Sequence, residues 1–104
     1  MLQIELLVVP DCPNEGVAAE LIATAVADTG VAATVTRTMI VTEAEAEQRG
    51  FIGSPTMLLN GLDAFPVPHA LVGLACRLYS TPAGVRGVPG LRDLRQALKR
   101  TAAA

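Results

Sequence analysis

The chain has 104 residues, of which 51% are apolar and 17% charged, with a formal net charge of −2. That length suffices for one domain, residues 1–104, with a single core needing no metal or disulfide support, and the composition argues against disorder. A pI near 5.2 and an aromatic content of 3% supply neither clustered cations to neutralise phosphates nor rings for base stacking, so no nucleic-acid partner is expected.

The one basic cluster, Arg92, Arg95, Lys99 and Arg100, reads as the solvated face of a closing helix. The apolar start, Met1 to Val9, contains Glu5, lacks a basic flank and runs straight into Pro10, so it reads as a strand and not as a signal peptide. No stretch is long enough to span a bilayer. A cytoplasmic protein with no membrane partner and with both cysteines reduced at rest is the expectation.

Residues 2–9 form an apolar run bounded by Pro10 and Asp11, the pattern of a buried strand. From Pro13 the spacing changes: Val17, Ala18, Leu21, Ile22, Ala25 and Val26 line one face of a helix. Pro13 suits its first position and Gly30 its C-terminal cap. Residues 31–40 are rich in β-branched side chains and predict a second strand, with Val31, Ala33, Val35 and Met39 on one face. Thr42 and Glu45 carry a capping-box signature for a short acidic helix ending near Gly50. Thr56 to Leu59 predict a third strand, closed by the turn Asn60-Gly61.

Residues 62–74, interrupted by Pro66, Pro68 and Gly73, read mostly as loop. Residues 75–79 read as a short fourth strand, with a helix over 70–79 as the alternative. Gly84, Gly87, Pro89 and Gly90 predict a flexible connection to a last helix whose buried face carries Leu91, Leu94 and Leu98. The predicted order is β-α-β-α-β-β-α: an α/β domain with a central four-stranded mixed sheet flanked by helices.

Within this order Cys12 falls where the first strand gives way to the first helix, at or beside the N-cap. The helix dipole and free backbone N–H groups there favour the thiolate, the form that attacks disulfides and binds soft metals; Asp11 and Glu15 oppose it. The competing reading is a small apolar residue at a helix start. Glu15 stands where the second cysteine of a Cys-x-x-Cys pair would be, so a dithiol mechanism of that kind is excluded. Its plain role is to reach back to a free backbone N–H; its functional one, shared with Asp11, is proton transfer to the thiol.

Cys76 is the second thiol. In a simple hairpin it would enter about 13 Å from the Cys12 end of the sheet, too far for a disulfide, whose Cα atoms lie within about 7 Å. The loop over 62–74 is nonetheless long enough to carry the chain back. Cys76 is therefore either a resolving thiol or second soft-metal ligand, or filler in a strand, and Arg77 beside it would favour a thiolate if exposed. His69, the only histidine, has no zinc-spaced companions, and no metal site is expected. Tyr79 reads as a core or edge-strand residue, and Asp63 as a loop residue within reach of the site.

The element order, with Cys12 after the first strand and Ser54-Pro55 before the third, resembles the thioredoxin-like superfamily over nearly the whole chain. More narrowly, Cys12-Pro13-Asn14, the run from Gly50 to Thr56, the run from Asn60 to Phe65, and Ala75-Cys76-Arg77-Leu78-Tyr79 look like a group of small bacterial thioredoxin-family proteins. Some members are catalogued as alkylmercury-lyase-like and some carry selenocysteine at the position matching Cys12. Ala64 departs from that group's Asp-Pro-Phe.

The resemblance implies a cis-proline at Pro55 lying against the nucleophile, with Ser54, Pro55 and Thr56 binding substrate and the Ser54 backbone pairing with an extended substrate or glutathione. A plain strand-initiating proline is the alternative. Three functions follow as expectations. The first is a thiol-disulfide oxidoreductase using Cys12, alone or resolved by Cys76 or an external thiol such as glutathione, on small-molecule or protein disulfides. The second is soft-metal or organomercurial handling by Cys12 and Cys76, with Asp11 or Asp63 delivering a proton. The third is a non-catalytic binding module.

Overall fold

A computed structural model describes every residue from Met1 to Ala104. Four strands form one mixed sheet in the order β2-β1-β3-β4: β1 (Leu2–Val8), β2 (Ala33–Met39), β3 (Thr56–Leu59) and β4 (Leu62–Asp63). Strand β1 runs parallel to β2, from Leu2 opposite Ala33 to Val8 opposite Met39. It runs antiparallel to β3, with Leu7 opposite Thr56. Three helices flank the sheet: α1 (Glu15–Thr29), α2 (Glu43–Arg49) and α3 (Leu91–Ala103).

Side-chain alternation along β1 divides the core in two. Leu2, Ile4, Leu6 and Val8 face α1 and α3, where they join Ala18, Ile22 and Ala25 of α1, Leu94, Ala97 and Leu98 of α3, and Met57 and Leu59. Leu7 faces the opposite side and packs with Ile40, Ala46, Phe51 and Leu58 beneath α2. Only the second half of β1, Leu6 to Val8, is buried on both faces and reads as an unbroken apolar run; Gln3 is exposed and Glu5 partly so. Each Leu or Ile side chain fully buried here contributes about 1.5–3 kcal/mol.

The capping signals act as the sequence predicts. The Thr42 hydroxyl accepts from the Glu45 N–H at 3.1 Å, and the Glu45 carboxylate accepts from the Thr42 N–H at 3.2 Å, so α2 opens on a complete capping box. Gly30 closes α1 in the left-handed region, donating its N–H to Val26 at 3.0 Å.

Three expectations are corrected. The fourth sheet strand is β4, not residues 75–79. Asn60 and Gly61 both take positive φ, 51° and 85°, the geometry of a tight hairpin turn, so the chain pairs back at once, with Leu59 opposite Leu62. Residues 75–79 instead hold an isolated bridge at Cys76 and the start of a separate hairpin, β5 (Tyr79–Thr81) and β6 (Gly84–Arg86). That hairpin replaces the expected flexible connection, turning at Gly84 with φ 104°. Helix α1 begins at Glu15 with Asn14 as N-cap, because Asp11 turns into the left-handed region at φ 58° and residues 10–14 form turns. Val35 and Met39 share a face of β2 as expected, and both are exposed on this edge strand.

Candidate functional site

Strand β1 ends at Val8, and the turn over Pro10 and Asp11 delivers Cys12 to the mouth of α1. Cys12 is half-buried and packs against the core beneath α1 and α3. It precedes the N-cap by two residues, and its carbonyl accepts the Glu15 N–H at 3.2 Å. Asn14 makes no side-chain cap bond. Its side chain is instead covered by Gly87, where an added Cβ would stand 2.3 Å from the Asn14 Nδ2. The chain beyond β6 thus closes over the first turn of α1.

Glu15 does not reach back to the helix end. Its carboxylate is held by Arg37 of β2, Nη2 to Oε1 at 3.0 Å with Nε on Oε2. The Arg37 hydrogen bond, aided by its charge, holds the Glu15 carboxyl below the ordinary glutamate range. Glu15 is therefore ionised near neutrality and its charge compensated, which makes it a poor proton donor to a neighbouring thiol. Asp11 is exposed on its turn.

Across the sheet, β3 starts from Gly53-Ser54-Pro55, and the Ser54–Pro55 peptide bond is cis. Every residue of this entry is gripped. The Ser54 Oγ accepts the Val9 N–H at 3.1 Å, tying the loop to the end of β1. The Thr56 Oγ1 donates to the Gly53 carbonyl at 2.6 Å, and the Tyr79 hydroxyl donates to the Pro55 carbonyl. The Ser54 N–H donates to the Ala75 carbonyl and the Ser54 carbonyl accepts the Arg77 N–H, both at 2.9 Å. These two bonds form the parallel bridge that sets Cys76 opposite Ser54.

Arg77 anchors that bridge. Only 4% exposed, it donates to both carboxylate oxygens of Asp63 at 2.8 and 3.2 Å, to the Thr56 Oγ1 at 3.0 Å, and to the Phe65 carbonyl. Its guanidinium carbon lies 4.6 Å from the centroid of the Tyr79 ring, which meets Phe65 edge to face at 5.8 Å. Its Nε is buried with no acceptor. Gly53 is required beneath it: at φ 139°, an added Cβ would lie 2.9 Å from the Arg77 Cβ and 3.2 Å from the Ala75 carbonyl oxygen.

Cys76 thus lies at the Pro55 end of β3, the end at which β1 leads to Cys12, because the loop after β4 brings the chain back. It is exposed, Cys12 is half-buried, and both are free thiols. Arg77 does not act on the neighbouring thiol from solvent; it is committed inward to Asp63. Ala64 uses its N–H, donating to the Met57 carbonyl at 2.9 Å, a bond a proline there could not make. His69 is exposed on its loop at φ 63°, and no group of three or more His, Cys, Asp or Glu side chains gathers at metal-binding spacing.

The contribution that sequence reasoning missed is the set Asp63, Arg77 and Tyr79, which hold the Gly53–Thr56 loop. The available signal was Asp63 and Arg77 themselves, opposite charges alone in an otherwise uncharged stretch from Leu62 to Val85 apart from His69. Beside this set, a cleft of about 450 Å³ opens between Phe65, Val67, Leu78, Tyr79 and the start of α3 at Asp93. Neither cysteine lines it or either of the other two clefts. No helix is long and apolar enough to cross a membrane. No protein-family model, curated protein or solved structure matches the chain.

Proposed function

We propose that this is a thioredoxin-like thiol-disulfide exchange protein in which Cys12 is the nucleophile. The observation that carries the reading is the meeting, at one end of the sheet, of a half-buried thiol between β1 and α1 with a cis Ser54–Pro55 entry to β3. The strand order β2-β1-β3-β4, with β1 and β2 parallel and β3 and β4 antiparallel, supports it.

The Cys12 thiolate attacks one sulfur of a disulfide, forming a mixed disulfide and expelling the other sulfur as a thiolate. A second thiolate then attacks the Cys12 sulfur, breaking the mixed disulfide and expelling the bound half as a thiolate, or attacks the partner sulfur and expels the Cys12 thiolate; in either case the second thiol ends in the new disulfide. Cys76, exposed at the same end of the sheet, or a small external thiol such as glutathione supplies that second sulfur. Compensation of Glu15 by Arg37 removes one of the two negative charges that oppose a thiolate at Cys12.

Soft-metal or organomercurial handling is the second reading, favoured by the presence of both free thiols at one end of the sheet. Asp63 is ill placed to deliver its proton, being held by Arg77. Native-state alkylation of Cys12 across pH, followed by disulfide-reduction and mercurial-cleavage assays of Cys12→Ser and Cys76→Ser, tests both. Loss of disulfide reduction on Cys12→Ser is expected. Reactivity at Cys12 no greater than that of a free cysteine, with neither activity present, would leave only the non-catalytic binding module.

A further inference from the structure

We infer that the site selects disulfides that reach Cys12 by their sulfur alone and gains nothing from an extended polypeptide around that sulfur; the inference rests on the thiol-exchange reading above. An extended peptide adds affinity at a sheet by pairing its backbone with unpaired N–H and C=O groups of an edge. Ser54 lies at the entry to β3, two residues before Thr56, the last β3 residue paired with β1, and is tied to the end of β1 through Val9. A chain lying along this loop would add itself to the sheet by pairing with the Ser54 N–H and C=O. Both are already taken, by the Ala75 carbonyl and the Arg77 N–H.

This internal strap is firmly built. Arg77 carries five polar and aromatic attachments behind it, and Gly53 leaves no space between strap and loop. Nor does the strap offer a replacement edge of useful length. It is paired at the single residue Cys76 and bends over residues 73–75. A peptide would have to break the two Ser54 bonds and move a buried guanidinium before recovering what it displaced. A small disulfide meets no such requirement.

The test compares one reacting bond in two settings: a 2-mercaptoethanol mixed disulfide on N-acetylcysteine amide, and the same mixed disulfide at the central cysteine of a short extended peptide. Rates of attack by Cys12 are measured in Cys76→Ser, so that one thiol reacts, with Cys12→Ser/Cys76→Ser as the blank. The two substrates are expected to react within about twofold of each other, less than the worth of one net backbone hydrogen bond. In Gly53→Ala, or in Arg77→Lys if that variant does not fold, the released strap should raise the ratio of the peptide rate to the small-substrate rate about tenfold.

Slow hydrogen exchange at the Ser54 and Arg77 amides of the unmodified protein is expected as well. A peptide advantage of about tenfold before any strap variant is made would overturn the inference. So would Ser54 and Arg77 amides that exchange as fast as the exposed loops. If the blank reacts with the small disulfide as fast as Cys76→Ser does, the thiol-exchange function itself fails and the preference falls with it.

Discussion

Replacing Arg77 with methionine keeps most of the side chain's length and removes its charge. The change strands the Asp63 carboxylate, whose side chain is 18% exposed, and strips a donor from the Thr56 hydroxyl and from the Phe65 carbonyl. Breaking a buried pair by removing one partner costs about 3–5 kcal/mol. Against the ~5–15 kcal/mol typical of a single domain, that is a large share of the whole. Urea unfolding followed by far-UV circular dichroism measures it, and at a slope of ~2 kcal/mol per molar the midpoint should fall by roughly 2 M. Asp63→Ala should cost a comparable amount. The double variant should cost less than the sum by about 1.5–3 kcal/mol, because neither group is then left charged and alone. A loss below about 1 kcal/mol in Arg77→Met, or strict additivity in the double variant, would refute the assignment of Arg77 as the anchor of the site.

Two further outcomes follow from single residues. Tyr79 is the only tyrosine and there is no tryptophan, so phenolate absorbance reports one group. Burial, with Asp63 adding to it, pushes its hydroxyl well above the ordinary tyrosine value, and Arg77 offsets this only in part. The folded state therefore keeps a proton that the unfolded chain releases near pH ~10. Stability from this group is complete below that pH and declines as pH rises above it. Phenolate should form together with loss of the far-UV signal; smooth ionisation near pH ~10 in a folded protein would contradict the buried Tyr79 bond. Thr42→Ala removes half of the α2 capping box and should cost about 1 kcal/mol in urea unfolding. No measurable loss would mean that α2 is held by its packing on Phe51 and Leu7 alone.

The central scaffold is legible because its signals are local. The apolar run of β1 bounded by Pro10 and Asp11, the apolar stripe of α1 and the Thr42–Glu45 box each declare themselves within a few residues, and the resulting mixed sheet with three helices is present. Residues 62–90 are misread for the opposite reason. Asn60-Gly61 was recognised as a turn, but Pro66 and Pro68 drew the returning strand too far downstream, although two residues of β4 fit before them. Arg77 is read only as a charge that would favour the Cys76 thiolate if exposed, because nothing in its neighbourhood declares that its counter-charge is Asp63, joined to it only by tertiary folding. The placement of Cys76 opposite Ser54 was equally hidden, since a one-residue bridge has no periodicity. Glu15 was assigned a cap by its position in the helix, and a long-range partner, Arg37, claimed it instead.

Small domains of the secreted kind often hold their loops with disulfides. Here an ionic cross-link does that work: Arg77 joins residues 56, 63, 65 and 79 from the interior, closing loops that a disulfide would otherwise close. Reductants leave such a link intact, and its burial shields it from salt, so it yields only to agents that open the fold around it. The link that holds the Gly53–Thr56 loop contains no sulfur, and a change in the oxidation state of Cys12 or Cys76 breaks none of its bonds.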